Sequence, residues 1–190
     1  SGEQFLGMLG MHGTYEANMS MAECDVMINI GARFDDRVTG DIKRFSLGSK
    51  KIHVDIDPCS IGKNVKTDIA IIGDAGEAID EMLKYWQKKS VRGYDKQISA
   101  WWEQIAQWRK KDSLSFDQKG EVIKPQYALQ LLYNLTKKQH PVVSTDVGQH
   151  QMWAAQHIGF DKPNLWLSSG GLGTIGYGMP AAVCAQVGNP

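Results

Sequence analysis

Hydrophobic and polar positions follow two periods along this chain. DVMINIG (25–31) is a short apolar run that stops at glycine, the pattern of a strand buried in a parallel sheet. KIHVDID (51–57) alternates and ends in aspartates, and DIAIIGDA (68–75) is a third run of the same kind. Around these runs the period lengthens. YEANMSMAEC (15–24) predicts a helix with Thr14 as its N-cap. AGEAIDEMLKYWQKK (75–89) sets Ala78, Ile79, Met82, Leu83 and Trp86 at helical spacing. Strands alternating with helices predict an α/β chain with a parallel sheet, its loops gathered at the strand C-termini.

The tract from 88 to 122 is polar and charged, and reads as a connector. Within it ISAWWEQIAQW predicts an amphipathic helix whose Trp101, Trp102 and Trp108 are expected to pack against a neighbour. A second α/β unit starts at Lys124-Pro125. PQYALQLLYNLTKK is helical with proline in the first turn. PVVSTDVG (141–148) is a strand, QHQMWAAQ (149–156) a helix directly after it, and NLWLSS (164–169) another strand. The glycine-rich SSGGLGTIGYGMP (168–180) then leads into a helix over 178–188. No internal repeat or low-complexity tract is present.

Composition narrows the function classes. Among 190 residues, 21 basic side chains balance 21 acidic ones, so there is no electrostatic reason to expect nucleic acid or an anionic membrane as partner. No apolar run approaches the roughly 20 residues that span a bilayer, and the N-terminus lacks the signal-peptide pattern. Cys24, Cys59 and Cys184 form no C-x-x-C, so neither a zinc site nor a redox pair is indicated, and reduced thiols are expected. The chain opens without an evident first strand and stops at AQVGNP, where a strand should follow. Both ends are therefore expected to be cuts through domains.

Three strand-end loops, GARFDDR (31–37), DIDP (55–58) and GDA (73–75), carry the candidate chemistry of the first unit. Ligands of open parallel sheets bind at the carboxyl ends of the strands. There Asp55 is placed for a sugar hydroxyl and Arg33 for a phosphate. The competing reading is that the aspartates cap helices and the arginines pair with them. His12, in MLGMHGTYE, precedes a helix and is as easily an ordinary packed or surface histidine as a ligand. In the second unit Gln149 and His150 open a helix behind a strand, where backbone N–H groups suit a phosphate or a simple cap. Gly171, Gly173 and Gly176 have the G-x-G-x-x-G spacing, a weak dinucleotide signal by itself. No G-x-S-x-G, H-E-x-x-H or Walker lysine occurs.

Taken together, GMHGTYEANM, GARFDDRVTG, DIDPCSIGKN, GQHQMWAAQ and SSGGLGTIGYGMPAA resemble the catalytic subunits of acetolactate synthase (acetohydroxyacid synthase), a thiamine-diphosphate enzyme family that also carries FAD. RFDDRVTG and GQHQMWAAQ separate this resemblance from looser relatives such as pyruvate oxidase. It implies three-layer parallel-sheet domains. Residues 1–88 would be the C-terminal part of a Rossmann-like central FAD-binding domain, 89–122 an interdomain connector, and 123–190 the N-terminal part of the thiamine-diphosphate domain.

The resemblance also implies roles. Met11, His12, Gly13, Gly31, Ala32, Arg33, Asp35, Asp55, Ile56, Asp74 and Ala75 would contact FAD. Arg37, with Asp36 beside it, would receive the carboxylate of the second substrate. Gln149 and His150 would meet the cofactor diphosphate, and Gly173, Thr174 and Ile175 its rings, with Ile175 wedged between them where many members carry methionine. The implied reaction decarboxylates pyruvate and joins its two-carbon unit to pyruvate or 2-ketobutyrate, for branched-chain amino acids.

The activating glutamate would lie before Ser1 and the Mg²⁺-binding segment after Pro190, so no metal ligand and no complete catalytic set is expected within the 190 residues, and the chain alone is expected to be inactive. The family implies a homodimer or tetramer, a possible regulatory subunit, and a bacterial cytoplasm or a eukaryotic mitochondrion or plastid. The competing classes are a non-catalytic FAD- or nucleotide-binding module, and another thiamine-dependent carboligase or oxidase.

Overall fold

The computed structural model describes residues 3–89 and 93–189; Ser90, Val91 and Arg92 of the expected connector lie outside the described residues. The chain divides into two compact units, Leu9–Ser113, and Ser1–Met8 with Leu114–Pro190.

In the first unit a 3-10 turn (Gly10–His12) leads to helix α1 (Tyr15–Glu23), then strand β1 (Val26–Ile30), short helix α2 (Asp36–Thr39), a second 3-10 turn (Ile42–Arg44), strands β2 (Lys50–Asp55) and β3 (Ile69–Ile72), and helices α3 (Ala75–Lys88) and α4 (Asp95–Arg109). Side-chain caps set the helix starts. Thr14 Oγ1 accepts the Ala17 N–H at 3.2 Å, and Asp74 accepts those of Gly76 and Glu77 at 2.8 and 3.1 Å. The strands pair in the order β1-β2-β3, all parallel, with Ile30 beside Val54 and Asp55 beside Ile72.

The core gathers Phe34, Phe45 and Val65, with Met21, Met27 and Val38 against them. The two phenylalanine rings meet edge to face at 5.8 Å, and Phe34 also meets the fully buried His53 at 5.1 Å. The buried Lys51 ammonium donates to the carbonyls of Ser46 and Ser49 at 2.7 and 3.2 Å, which offsets its desolvation.

One expectation is corrected here. The apolar run 25–31 predicts a strand buried on both faces, yet Val26, Ile28 and Ile30 are exposed while Asn29 is buried. Alternate residues of a strand face opposite sides. The Phe34 cluster packs against Met27, and residues of this unit leave the other side of β1 open. Helix α4 packs against α1. Trp101 and Trp108 meet at 5.5 Å and are half-buried, whereas Ile105, at 2% exposure, is the residue that α4 buries.

In the second unit helix α5 (Pro125–Thr136) and a 3-10 turn (Lys137–Gln139) precede strand β4 (Val143–Thr145), helix α6 (Gln149–His157), strand β5 (Trp166–Ser168) and helix α7 (Gly178–Gly188). β4 and β5 are parallel, with Thr145 opposite Ser168. α5 packs on α6, and α7 on both strands. A Cβ at Gly178 would lie 2.7 Å from the Asp146 backbone nitrogen, so only glycine lets α7 start against the end of β4. Among the described residues no helix is long and apolar enough to cross a membrane.

Candidate functional site

In the unit Leu9–Ser113 the three candidate loops leave one edge of the sheet side by side. The Gly31 N–H donates to the Val54 carbonyl at 2.9 Å and the Gly73 N–H to that of Asp55 at 3.1 Å. The hydrogen-bond ladder therefore carries Gly31–Arg37, Asp55–Ile56 and Gly73–Ala75 out together. The Gly10–His12 turn is docked beside them on α2. Gly10 has φ +73°, and a Cβ there would fall 2.1 Å from the Arg37 carbonyl oxygen. Asn18 fixes this turn, accepting the Gly10 N–H at 2.7 Å and donating to its carbonyl at 3.0 Å. Met11, His12 and Gly13 thus stand next to Asp35, Asp36 and Arg37. Burial, then the Arg37 charge, lowers the His12 pKa against an opposing effect of Asp35.

The polar groups of this edge also hold its backbone. Asp35 accepts the Arg37 N–H at 3.1 Å as the N-cap of α2 and pairs with Arg33 at 3.2 Å. Asp74 caps α3. Asp55 accepts the Asp57 N–H at 2.9 Å, and its other carboxylate oxygen lies 3.7 Å from His53 Nε2, with little of the side chain exposed. Capping and arginine pairing, the competing reading of these loops, are therefore present. Arg37 pairs with Asp36 at 2.9 Å, with 61% of its side chain exposed. Exposed pairs of this kind stabilise little, so the guanidinium is easily turned to another carboxylate. Gly31, Ala32 and Ile56 are exposed.

Three asparagines that sequence reasoning passed over shape these loops. Besides Asn18, Asn64 donates to the carbonyls of Arg33 and Phe34 at 3.2 and 3.1 Å, where Phe34 takes the left-handed φ of +52°. Asn29 donates to the Ala32 carbonyl.

In the other unit the candidate residues lie at the carboxyl ends of β4 and β5. α6 starts at Gln149, directly after Gly148. Its first N–H groups have no intrahelical acceptor and sit at the positive end of the helix dipole. The Gln149 and His150 side chains are exposed there. The glycine loop after β5 is tied at both ends. Gly173 N–H donates to the Ser169 carbonyl at 3.2 Å, and Thr174 N–H to Ser169 Oγ at 2.9 Å. The Gly176 N–H donates to both carboxylate oxygens of Asp146 at 2.9 Å. Gly173 and Gly176 have φ of +65° and +90°, which favours glycine. Between these ties Leu172 and Ile175 stand 95% and 81% exposed.

The N–H groups of Gly176 and Val147 hold the Asp146 carboxyl below the usual carboxylate range, and His150 acts in the same direction. In the sequence Asp146 is visible only as part of the run PVVSTDVG. Behind the loop, Gln151 donates to Ser168 Oγ, which Thr145 Oγ1 also meets at 3.2 Å. Among the described residues no group of three or more His, Cys, Asp or Glu side chains could hold a metal ion.

Comparison with known proteins accounts for this pairing of sites. Residues 1–82 match the family described as thiamine pyrophosphate enzyme, central domain. Residues 146–190 match thiamine pyrophosphate enzyme, C-terminal TPP binding domain. The chain is 48% identical over 187 residues to the acetolactate synthase isozyme 3 large subunit of Escherichia coli K12, covering 98% of this chain and 32% of that protein. It is 47% identical to the acetolactate synthase large subunit of Haemophilus influenzae, over 99% of the chain and 32% of the relative. For that of the red alga Pyropia yezoensis the identity is 49%, over 97% and 31%. The chain thus spans about a third of the length of the curated relatives it matches. It belongs to the thiamine pyrophosphate enzymes, with its similarity to acetolactate synthase large subunits running over nearly its whole length.

Proposed function

We propose that this chain is the central-to-carboxyl-terminal segment of an acetolactate synthase large subunit, which decarboxylates pyruvate and joins the two-carbon unit to a second 2-keto acid, pyruvate or 2-ketobutyrate. The observation that carries this reading is the pairing, on one sheet edge, of the α6 N-terminus with a tied glycine loop that holds Ile175 out in solvent. The helix N-terminus suits a diphosphate. An exposed isoleucine on an anchored loop suits an aromatic ring system. The donor set fits thiamine diphosphate: Gln149 and His150 would hold its diphosphate, and Gly173, Thr174 and Ile175 its rings. Bound there, the cofactor supplies the electron sink that lets CO₂ leave. The chain's part is to fix both ends of that molecule and keep the ring end apolar.

FAD belongs, in this proposal, on the edge formed by β1, β2 and β3, against the Met11–Gly13 turn and the loops at Gly31, Ala32, Arg33, Asp35, Asp55, Ile56, Asp74 and Ala75. The clustering of these loops supports it. Arg37 would bind the carboxylate of the second 2-keto acid, with Asp36 beside it. Residues 1–88 then form part of a central FAD domain with covering layers on both sheet faces, 89–122 the connector, and 123–190 the start of the thiamine domain. Mg²⁺ ligands would come from beyond Pro190. Oligomerisation as a dimer or tetramer, a regulatory subunit, and a cytoplasmic or organellar setting belong to the same proposal.

The test is product analysis with the full-length protein. Acetolactate from pyruvate is expected only when thiamine diphosphate and Mg²⁺ are present. Acetaldehyde or acetyl phosphate as sole product would point to another thiamine enzyme, and absence of any product to a nucleotide-binding module.

A further inference from the structure

We propose that Asp146 is a positioning residue that latches the glycine loop, setting where Ile175 and the Gly173 backbone stand relative to the diphosphate end of the site. Asp146 directly follows β4. Its Oδ1 accepts the N–H of the next residue, Val147, at 2.9 Å, which fixes the carboxylate against its own backbone. Both oxygens then accept the N–H of Gly176, thirty residues later, at 2.9 Å. The two anchors of the loop are thus of different kinds. Its near end is tied to Ser169, a neighbour in sequence, and its far end to the other strand.

The backbone that carries the carboxylate is itself held in place. α7 starts against the same strand end, so closely that a Cβ at Gly178 would lie 2.7 Å from the Asp146 nitrogen. Ser144 Oγ adds a bond to the Gly178 carbonyl at 2.8 Å. His150 also favours the ionised form of the Asp146 carboxyl. One side chain therefore joins the end of β4 to the turn that carries Ile175. Hydrogen bonds to a charged acceptor are stronger and more directional than neutral ones. A carboxylate at this place holds the loop more firmly than an amide or hydroxyl would.

This inference rests on the thiamine-diphosphate reading, and the test separates the two. Thiamine diphosphate and inorganic pyrophosphate are titrated, with Mg²⁺, into the full-length protein and its variants. Pyrophosphate probes the α6 end alone. Asp146→Ala is expected to weaken thiamine diphosphate roughly ten- to a hundredfold and to leave pyrophosphate within about twofold, since the N-terminal turn of α6 needs no latch. Asp146→Asn retains one acceptor, and is expected to fall between Asp146→Ala and the unsubstituted protein.

Unchanged thiamine diphosphate affinity in Asp146→Ala overturns the latch and leaves the cofactor site standing. So does equal weakening of both ligands, which assigns Asp146 to the helix end or to folding. If the unsubstituted protein binds no thiamine diphosphate, the functional reading falls and the latch with it. Should Asp146→Ala fail to fold, Asp146→Asn carries the same comparison.

Discussion

Replacing Ile175 by alanine in the full-length protein is expected to lower acetolactate formation roughly a hundredfold while leaving the fold intact. The two effects separate because Ile175 is 81% exposed. Exposed substitutions change folding stability by about 0.5 kcal/mol or less, so the melting temperature without cofactor should hold. Once a ring system packs on the side chain, its truncation removes a buried apolar contact. Truncations of that kind are worth about 2–5 kcal/mol, and about 2.7 kcal/mol in the transition state is a hundredfold in rate. Ile175→Met keeps the bulk on an unbranched chain and should retain most of the activity. Steady-state kinetics with thermal melts of the apo forms checks both statements. A variant as active as the unsubstituted protein would remove Ile175 from the ring site.

Arg37→Ala is the second large effect. In the full-length protein it is expected to reduce the joining of the second 2-keto acid roughly ten- to a hundredfold, the consequence of losing one charge-assisted hydrogen bond of about 1.5–3 kcal/mol. Pyruvate decarboxylation should fall much less, because the proposed role concerns the second substrate. The geometry supports a clean experiment. The side chain is 61% exposed and pairs with Asp36, also exposed, so its removal leaves no buried charge behind. Parallel measurement of CO₂ release and acetolactate gives the ratio. Equal losses in both would remove the substrate role.

The regular part of this fold was legible because local chemistry sets it. Thr14 and Asp74 begin α1 and α3 where polar residues precede apolar periodicity, and both caps are formed. The strands after residues 25, 50 and 68 were visible as apolar runs, and they pair in parallel. Limits appeared where the cause is distant or has no period. β4 covers Val143–Thr145 rather than the whole 141–148 run: Pro141 has no N–H to donate, and Asp146 turns its carboxylate to the glycine loop.

The loop anchors were the least visible feature. Asn18 and Asn64 are single amides whose partners are main-chain groups 8 and about 30 positions away. A backbone N–H such as that of Gly176 leaves no mark in a sequence. The motif G-x-G-x-x-G drew attention to Gly171, Gly173 and Gly176 as a phosphate cradle. In the structure Gly173 and Gly176 carry positive φ, and Ile175, between them, stands exposed to solvent.

The most direct measurement of the central claim is a crystal structure of the full-length protein with thiamine diphosphate and Mg²⁺. It should show the diphosphate within hydrogen-bond distance of Gln149 and His150 and the Ile175 side chain between the two rings, with Gly176 still bonded to Asp146. A cofactor bound away from the β4 and β5 carboxyl edge, or a dinucleotide pyrophosphate in the glycine loop, would contradict it.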